Sequence, residues 1–216
     1  MTDASAPSPS NAVANPQATL QAFTLLDLAQ YTSERAYAPD ASTDVKLFYV
    51  GRDDVHDVLK HMLSRASVSV VLNMFGYDDD ELNDILMAKA TDPSVTMLIT
   101  LDKSQAGGVH ERKLLDADRA KLASWGTHFV VGQSATHQIS HTKGAVLDGK
   151  VAFEGSTNWS ASGEGTFVVA GKAGGVGYQA QNNTLGVITD RDTCARFQAE
   201  LISEHLVAQG QAAKAA

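Results

Sequence analysis

Apolar residues along this chain recur at two spacings, and the alternation of the two predicts the fold. Residues 45–50, 68–75, 95–101 and 127–131 are short apolar runs that read as strands, with 68–75 and 95–101 continuous enough to be buried on both faces. Between them, residues 53–64 carry Val55, Val58, Leu59, Met62 and Leu63 at helical spacing. Asp78, Asp79 and Asp80 form an acid-rich helix start ahead of Leu82, Ile85 and Leu86, and residues 111–124 read as a third helix. This order predicts an α/β architecture, a mixed β-sheet flanked by helices on both faces. Two further apolar runs, Ala145-Val146-Leu147 and Val151-Ala152-Phe153, are joined by Asp148-Gly149, a dipeptide that tolerates the positive φ of a tight turn, so this stretch reads as a β-hairpin. Residues 183–189 return as a strand, and residues 190–207 as a closing helix with Cys194, Phe197, Leu201 and Leu206 inward.

The ends of the chain read differently. Residues 1–19 have three prolines, no aromatic residue and no lysine or arginine, the composition of a disordered tail. Residues 20–44 form a covering segment, residues 45–208 the main α/β domain, and residues 209–216 a flexible C-terminus. No transmembrane segment and no cationic, apolar leader is visible, so a cytoplasmic protein is the default; an export signal removed by processing would leave no trace. At 216 residues and 44% hydrophobic composition the chain supports one substantial core. The net charge of -8 argues against a surface coated with positive charge, so a polyanionic partner must be met by a local basic patch.

The candidate chemistry lies in the hairpin. His141 and Lys143 are two residues apart, which on a strand sends both side chains to one side. Hairpin geometry returns Gly155, Ser156 and Asn158 to the same end, so an imidazole, an ammonium, a hydroxyl and a carboxamide collect in one patch. An imidazole attacks phosphorus or passes a proton near neutral pH, while the other three groups hold non-bridging phosphate oxygens. The set contains no acidic metal ligand. The Asp78–Asp80 carboxylates suit the first turn of a helix better than a metal site, and His137 and His141, four apart, have no third ligand at a suitable spacing. No metal and no other cofactor is expected. His137 precedes the strand and is a candidate accessory residue.

At His141, Lys143, Asp148, Gly155, Ser156 and Asn158 the chain resembles the phospholipase D superfamily, whose H-x-K-x4-D-x6-G-S-x-N pattern all six positions match. The resemblance implies a phospholipase D-like fold over roughly residues 45–208 and a two-step displacement in which one histidine forms a phosphohistidine while a second protonates the leaving oxygen and then activates water. His141 is the implied nucleophile, Lys143, Ser156 and Asn158 the phosphate ligands, and Asp148 and Gly155 motif residues of structural role. Relatives place a glutamate in the late strand to orient the histidine; here the nearest equivalent is Asn183, with Glu154 or Glu164 as substitutes. One motif per chain supplies one such histidine, so a homodimer pairing two copies of the hairpin is implied, as in the single-motif nucleases of the superfamily. The expected function is a metal-independent endonuclease acting on DNA or RNA. The alternatives are a lipid phosphodiesterase or phosphatidyl transferase with the same chemistry, and a silent binding protein that keeps the fold.

Overall fold

A computed structural model describes residues 24–108, 112, 116, 129–136 and 139–215. The disordered-tail reading at 1–19, most of the helix expected at 111–124 and His137 lie outside them. Seven strands form one sheet: β1 (Val45–Tyr49), β2 (Ser69–Met74), β3 (Thr96–Asp102), β4 (Phe129–Gly132), β5 (Lys143–Leu147), β6 (Val151–Gly155) and β7 (Thr184–Ile188), in the order β1-β7-β6-β5-β2-β3-β4. β2, β3 and β4 run parallel, and all other pairings are antiparallel. The expected mixed sheet is therefore present.

α1 (Val55–Arg65) and α2 (Asp80–Ala90) cover one face. Each starts at an aspartate: Asp54 accepts from Asp57 N, and Asp79 from Leu82 N, satisfying a free first-turn donor. Val55, Val58, Leu59, Met62 and Leu63 pack down on Leu72, Met74, Ile99 and Phe153, so the strand runs and the helix stripe meet in one core. A 3-10 helix over Leu25–Tyr31 closes its margin with Leu25 and Leu28 buried, within the segment read as a cover. Two short helices, α3 (Ala161–Glu164) and α4 (Thr166–Val169), follow β6.

The second face is covered by α5 (Arg191–Ala215), where the structure corrects two expectations. Cys194 and Leu201 are buried, but Leu206 is 59% exposed, and His205 and Ala208 take the inward positions. The stripe runs 194, 201, 205, 208; one residue on from His205, Leu206 is rotated about 100° around the helix and so leaves the inward face. The helix also continues past residue 207, where the apolar pattern ends it, as far as Ala215. Ala208 packs so closely on Gly132 that a Cβ there would come within 2.4 Å of it, and Gln211 Oε1 accepts from Gln133 N at 2.8 Å.

Candidate active site

The turn between β5 and β6 fixes the hairpin register. Asp148 takes φ 54° and Gly149 φ 64°, and the Asp148 carboxylate accepts hydrogen bonds from Ser67 N, Ser67 Oγ, Val68 N and Ser69 N at 2.7–3.1 Å. It thus ties the turn to the start of β2, at the end of the hairpin away from His141. Pairing then runs Leu147 with Val151 through Gly144 with Glu154, which returns Ser156 and Asn158 to the level of His141. Gly155 must be glycine: a Cβ there would stand 2.1 Å from the Thr184 carbonyl oxygen, because β6 and β7 close up at this point. Ser156 completes that junction, donating its N–H to Thr184 O and accepting from Thr184 N through Oγ, both at 3.0 Å.

His141, Lys143 and Asn158 gather around the end of β2. His141 is exposed and lies just before β5; its ring sits edge-on to Phe75 at 4.5 Å between centroids. Lys143 is almost fully buried, with Nζ 2.8 Å from the His141 carbonyl oxygen and 4.8 Å from the Phe75 ring centre. Burial lowers the pKa of its ammonium, and the charge of Asp102 opposes that shift. Asn158 is half-buried against Gly76, where a Cβ would meet its Cγ at 3.0 Å, and its Oδ1 has no hydrogen-bond partner among the described residues. His141, Lys143 and Asn158 are thus brought to adjacent residues, Phe75 and Gly76, of one strand end. An imidazole at the surface with a buried cation behind it forms an arrangement suited to an anion, towards which the Asn158 amide would have to turn its Nδ2 donor, not Oδ1.

The family model described as the cardiolipin synthase, PLD-like domain matches residues 59–203. The chain belongs to the phospholipase D-like family. Among solved structures this phospholipase D-like chain is similar to a phospholipase D family member, Nuc from Salmonella typhimurium, at 13% identity and TM-score 0.55, over 74% of this chain and 92% of that one. It is similar to NucT from Helicobacter pylori at 16% identity and TM-score 0.54, over 74% and 94%. It also resembles the polyphosphate kinase from Porphyromonas gingivalis at 14% and 0.51, over 85% of this chain and 29% of that one. At these identities the likeness is one of fold. A search of curated proteins finds no match.

The candidates for orienting His141 have other surroundings and partners of their own. Asn183 Nδ2 donates to Gly163 O at 2.9 Å and Gln181 Oε1 at 3.0 Å, so it braces the loop after Asn158. Glu154 is exposed and pairs with Gly144 and Gly186, one residue out of phase with Lys143 and hence on the other sheet face. Glu164 is fully buried and hydrogen-bonds His56 Nδ1.

Sequence reasoning passes over His56, Asp79 and Phe75 as site residues. Asp79 caps α2, as an acid-rich helix start implies, but its Oδ2 also lies 3.7 Å from His56 Nδ1. Burial alone would lower the pKa of His56; its hydrogen bond to Glu164, the charges of Glu164 and Asp79 and its contact with Glu81 raise it to about 9. Burial pushes the Glu164 carboxyl up to about 7 against the pull of His56, with Asp79 and Asp78 adding to the rise. A readable signal exists: His56, Leu59 and Leu63 share one helical stripe, so a histidine stands where an apolar residue is expected.

Proposed function

We propose that this phospholipase D-like chain is a metal-independent phosphodiesterase that hydrolyses DNA or RNA through a phosphohistidine on His141, with the second histidine brought by a second copy of the chain. The observation that carries the reading is Lys143, a buried ammonium fixed to the backbone of an exposed histidine, since a buried cation is stabilised by an anion docking beside it. A nitrogen of His141 attacks phosphorus, the bond to the bridging oxygen breaks, and the imidazolium of the second copy's His141 gives that oxygen its proton. The second imidazole then takes a proton from water, whose oxygen attacks phosphorus as the P–N bond breaks and its electron pair returns to His141. Lys143, Ser156 and Asn158 hold the non-bridging oxygens as charge builds on them. The dimer follows from need, because each chain has one H-x-K segment and the scheme uses two histidines. The single motif, as in the single-motif nucleases it resembles, favours nucleic acid.

A second reading, phospholipase or phosphatidyl-transfer activity, draws on the description of the matching family and on the exposed Val168, Val169 and Val176 in the segment between α3 and β7. Among the described residues no helix is long and apolar enough to cross a membrane. Parallel assays on single-stranded DNA, duplex DNA, RNA and phosphatidylcholine vesicles, each with and without excess EDTA, separate the readings. Nucleic-acid cleavage that survives EDTA is expected. Cleavage of vesicles alone would move the function to lipid, and activity lost in EDTA and restored by one particular divalent ion would overturn the metal-independent scheme.

A further inference from the structure

Apart from the hairpin, the described residues hold a group of three titratable side chains whose ligating atoms all lie within 4.8 Å of one another: His56 on α1 and Glu164 at the end of α3, both buried, and Asp79 at the head of α2, half-buried. Glu164 is fully buried and its Oε1 has no hydrogen-bond partner among the described residues. An apolar trio of similar size would fill this space without the desolvation cost of ionised groups, so the arrangement is expensive and stability alone does not account for it.

Both carboxylates lie at the ends of backbone segments that enclose Asn158. On one side, Ser160 N donates to Asn158 O at 3.0 Å, Gly163 N to Ser160 Oγ at 3.0 Å and Glu164 N to Ser160 O at 2.9 Å. Gly163 packs so tightly that a Cβ would lie 2.3 Å from Asn158 O. On the other side Gly76 bears on the Asn158 side chain, Trp159 N donates to Gly76 O at 2.9 Å, and Asp78 N donates to Trp159 O at 2.8 Å, one residue before Asp79. The first wall therefore ends at Glu164 and the second at Asp79, and His56 touches both.

We propose that His56 is a positioning residue, whose ring, held between Glu164 and Asp79, clamps the two backbone segments around Asn158 and fixes the amide for phosphate. The inference rests on the reading of Asn158 as a phosphate ligand given above. Nothing in the phospholipase D motif calls for it, since His56 and Glu164 both lie outside H-x-K-x4-D-x6-G-S-x-N.

The test uses the full chain and two clamp variants, Glu164→Gln, which removes the buried charge, and His56→Gln. Hydrogen exchange is followed by segment, and turnover is measured on bis(4-nitrophenyl) phosphate. Exchange should rise over residues 156–165 and 76–80 while β2, β3 and β5 stay protected. kcat should fall about 10- to 100-fold with KM little changed, as for a misplaced reacting group. In His56→Gln/Asn158→Ala the loss should be no greater than in Asn158→Ala alone, because the clamp acts through that amide. Unchanged exchange at 156–165, or losses that multiply in the double variant, would overturn the clamp. So would one equivalent of bound Zn2+ that is lost in Glu164→Gln, since a cation and not the histidine would then join the walls. Full activity of Asn158→Ala would instead remove Asn158 from the phosphate site, and the exchange measurement would still decide the clamp.

Discussion

The Lys143 ammonium donates a hydrogen bond to the main-chain carbonyl of His141 at 2.8 Å, so the charge of the motif is tethered to the backbone of its own histidine. Two residues on a strand share a side, but only burial explains why this lysine cannot swing away: Nζ is held over Phe75 in a pocket with almost no exposure. On the proposed function, a charge so placed is pre-organised and needs no reordering to meet phosphate.

Lys143→Ala is accordingly expected to lower kcat/KM for phosphodiester cleavage by about 100-fold or more, the scale of losing one fixed donor to a developing oxyanion. Lys172→Ala is the control, because Lys172 is exposed in the glycine-rich segment 171–175, which lacks the pattern of a phosphate loop. It should cleave at close to the wild-type rate. Equal losses in the two variants would transfer phosphate binding to that segment.

Asp148 belongs to the same motif but sits at the opposite end of the hairpin, accepting from three main-chain amides and the Ser67 hydroxyl. Asp148→Ala should therefore destabilise the fold by on the order of 3 kcal/mol, since hydrogen bonds to a charged acceptor are lost and donors are stranded. The positive φ at this residue adds strain for alanine. Denaturant unfolding would show a lower midpoint, while turnover per folded molecule should stay within a few-fold of wild type. A catalytic defect without a stability defect would make Asp148 a reactant.

How far the site is legible in the sequence follows from how its parts are encoded. The hairpin is local: His141, Lys143, the Asp148-Gly149 turn and Asn158 lie within one short stretch, and a strand period of two places them. The clamp is not local, because His56 and Glu164 are 108 residues apart and meet only when α1 and α3 are brought together by the fold. Likewise the antiparallel pairing of β1 with β7 joins the two ends of the domain, and no periodicity within either strand announces its neighbour. On α5, hydrophobicity alone points to Leu206 as an inward residue, whereas the helical period selects His205, and the structure follows the period.

His56 and Glu164 also give the fold a pH dependence with a definite sign. Glu164 is raised from its ordinary 4.5 to about 7, and His56 from 6.5 to about 9, so the folded chain binds protons more tightly than the unfolded chain at both groups. Stability from this cluster is fully present below the unfolded pKa values and declines as pH rises, through about 7 for Glu164 and about 9 for His56. Urea midpoints taken across about pH 5 to 9 should fall for the wild type relative to Glu164→Gln/His56→Gln, whose cluster no longer titrates in that window. A wild-type advantage that grows with pH would contradict the assignment of charge at this cluster.

The dimer has its own arithmetic. His141→Ala should abolish turnover while the chain still folds, because His141 is exposed and its removal strands no buried group. If each site takes one His141 from each copy, a population with a fraction f of wild-type chains and the remainder His141→Ala forms competent sites only in wild-type pairs, and random pairing makes these f squared. A half-and-half mixture, unfolded and refolded together, should then show about one quarter of the wild-type activity, where independent sites would give about one half. Differently tagged chains check that pairing is random. With random pairing established, a linear dependence on f would place a complete site in each chain, and the proton donor would have to be sought among that chain's remaining histidines.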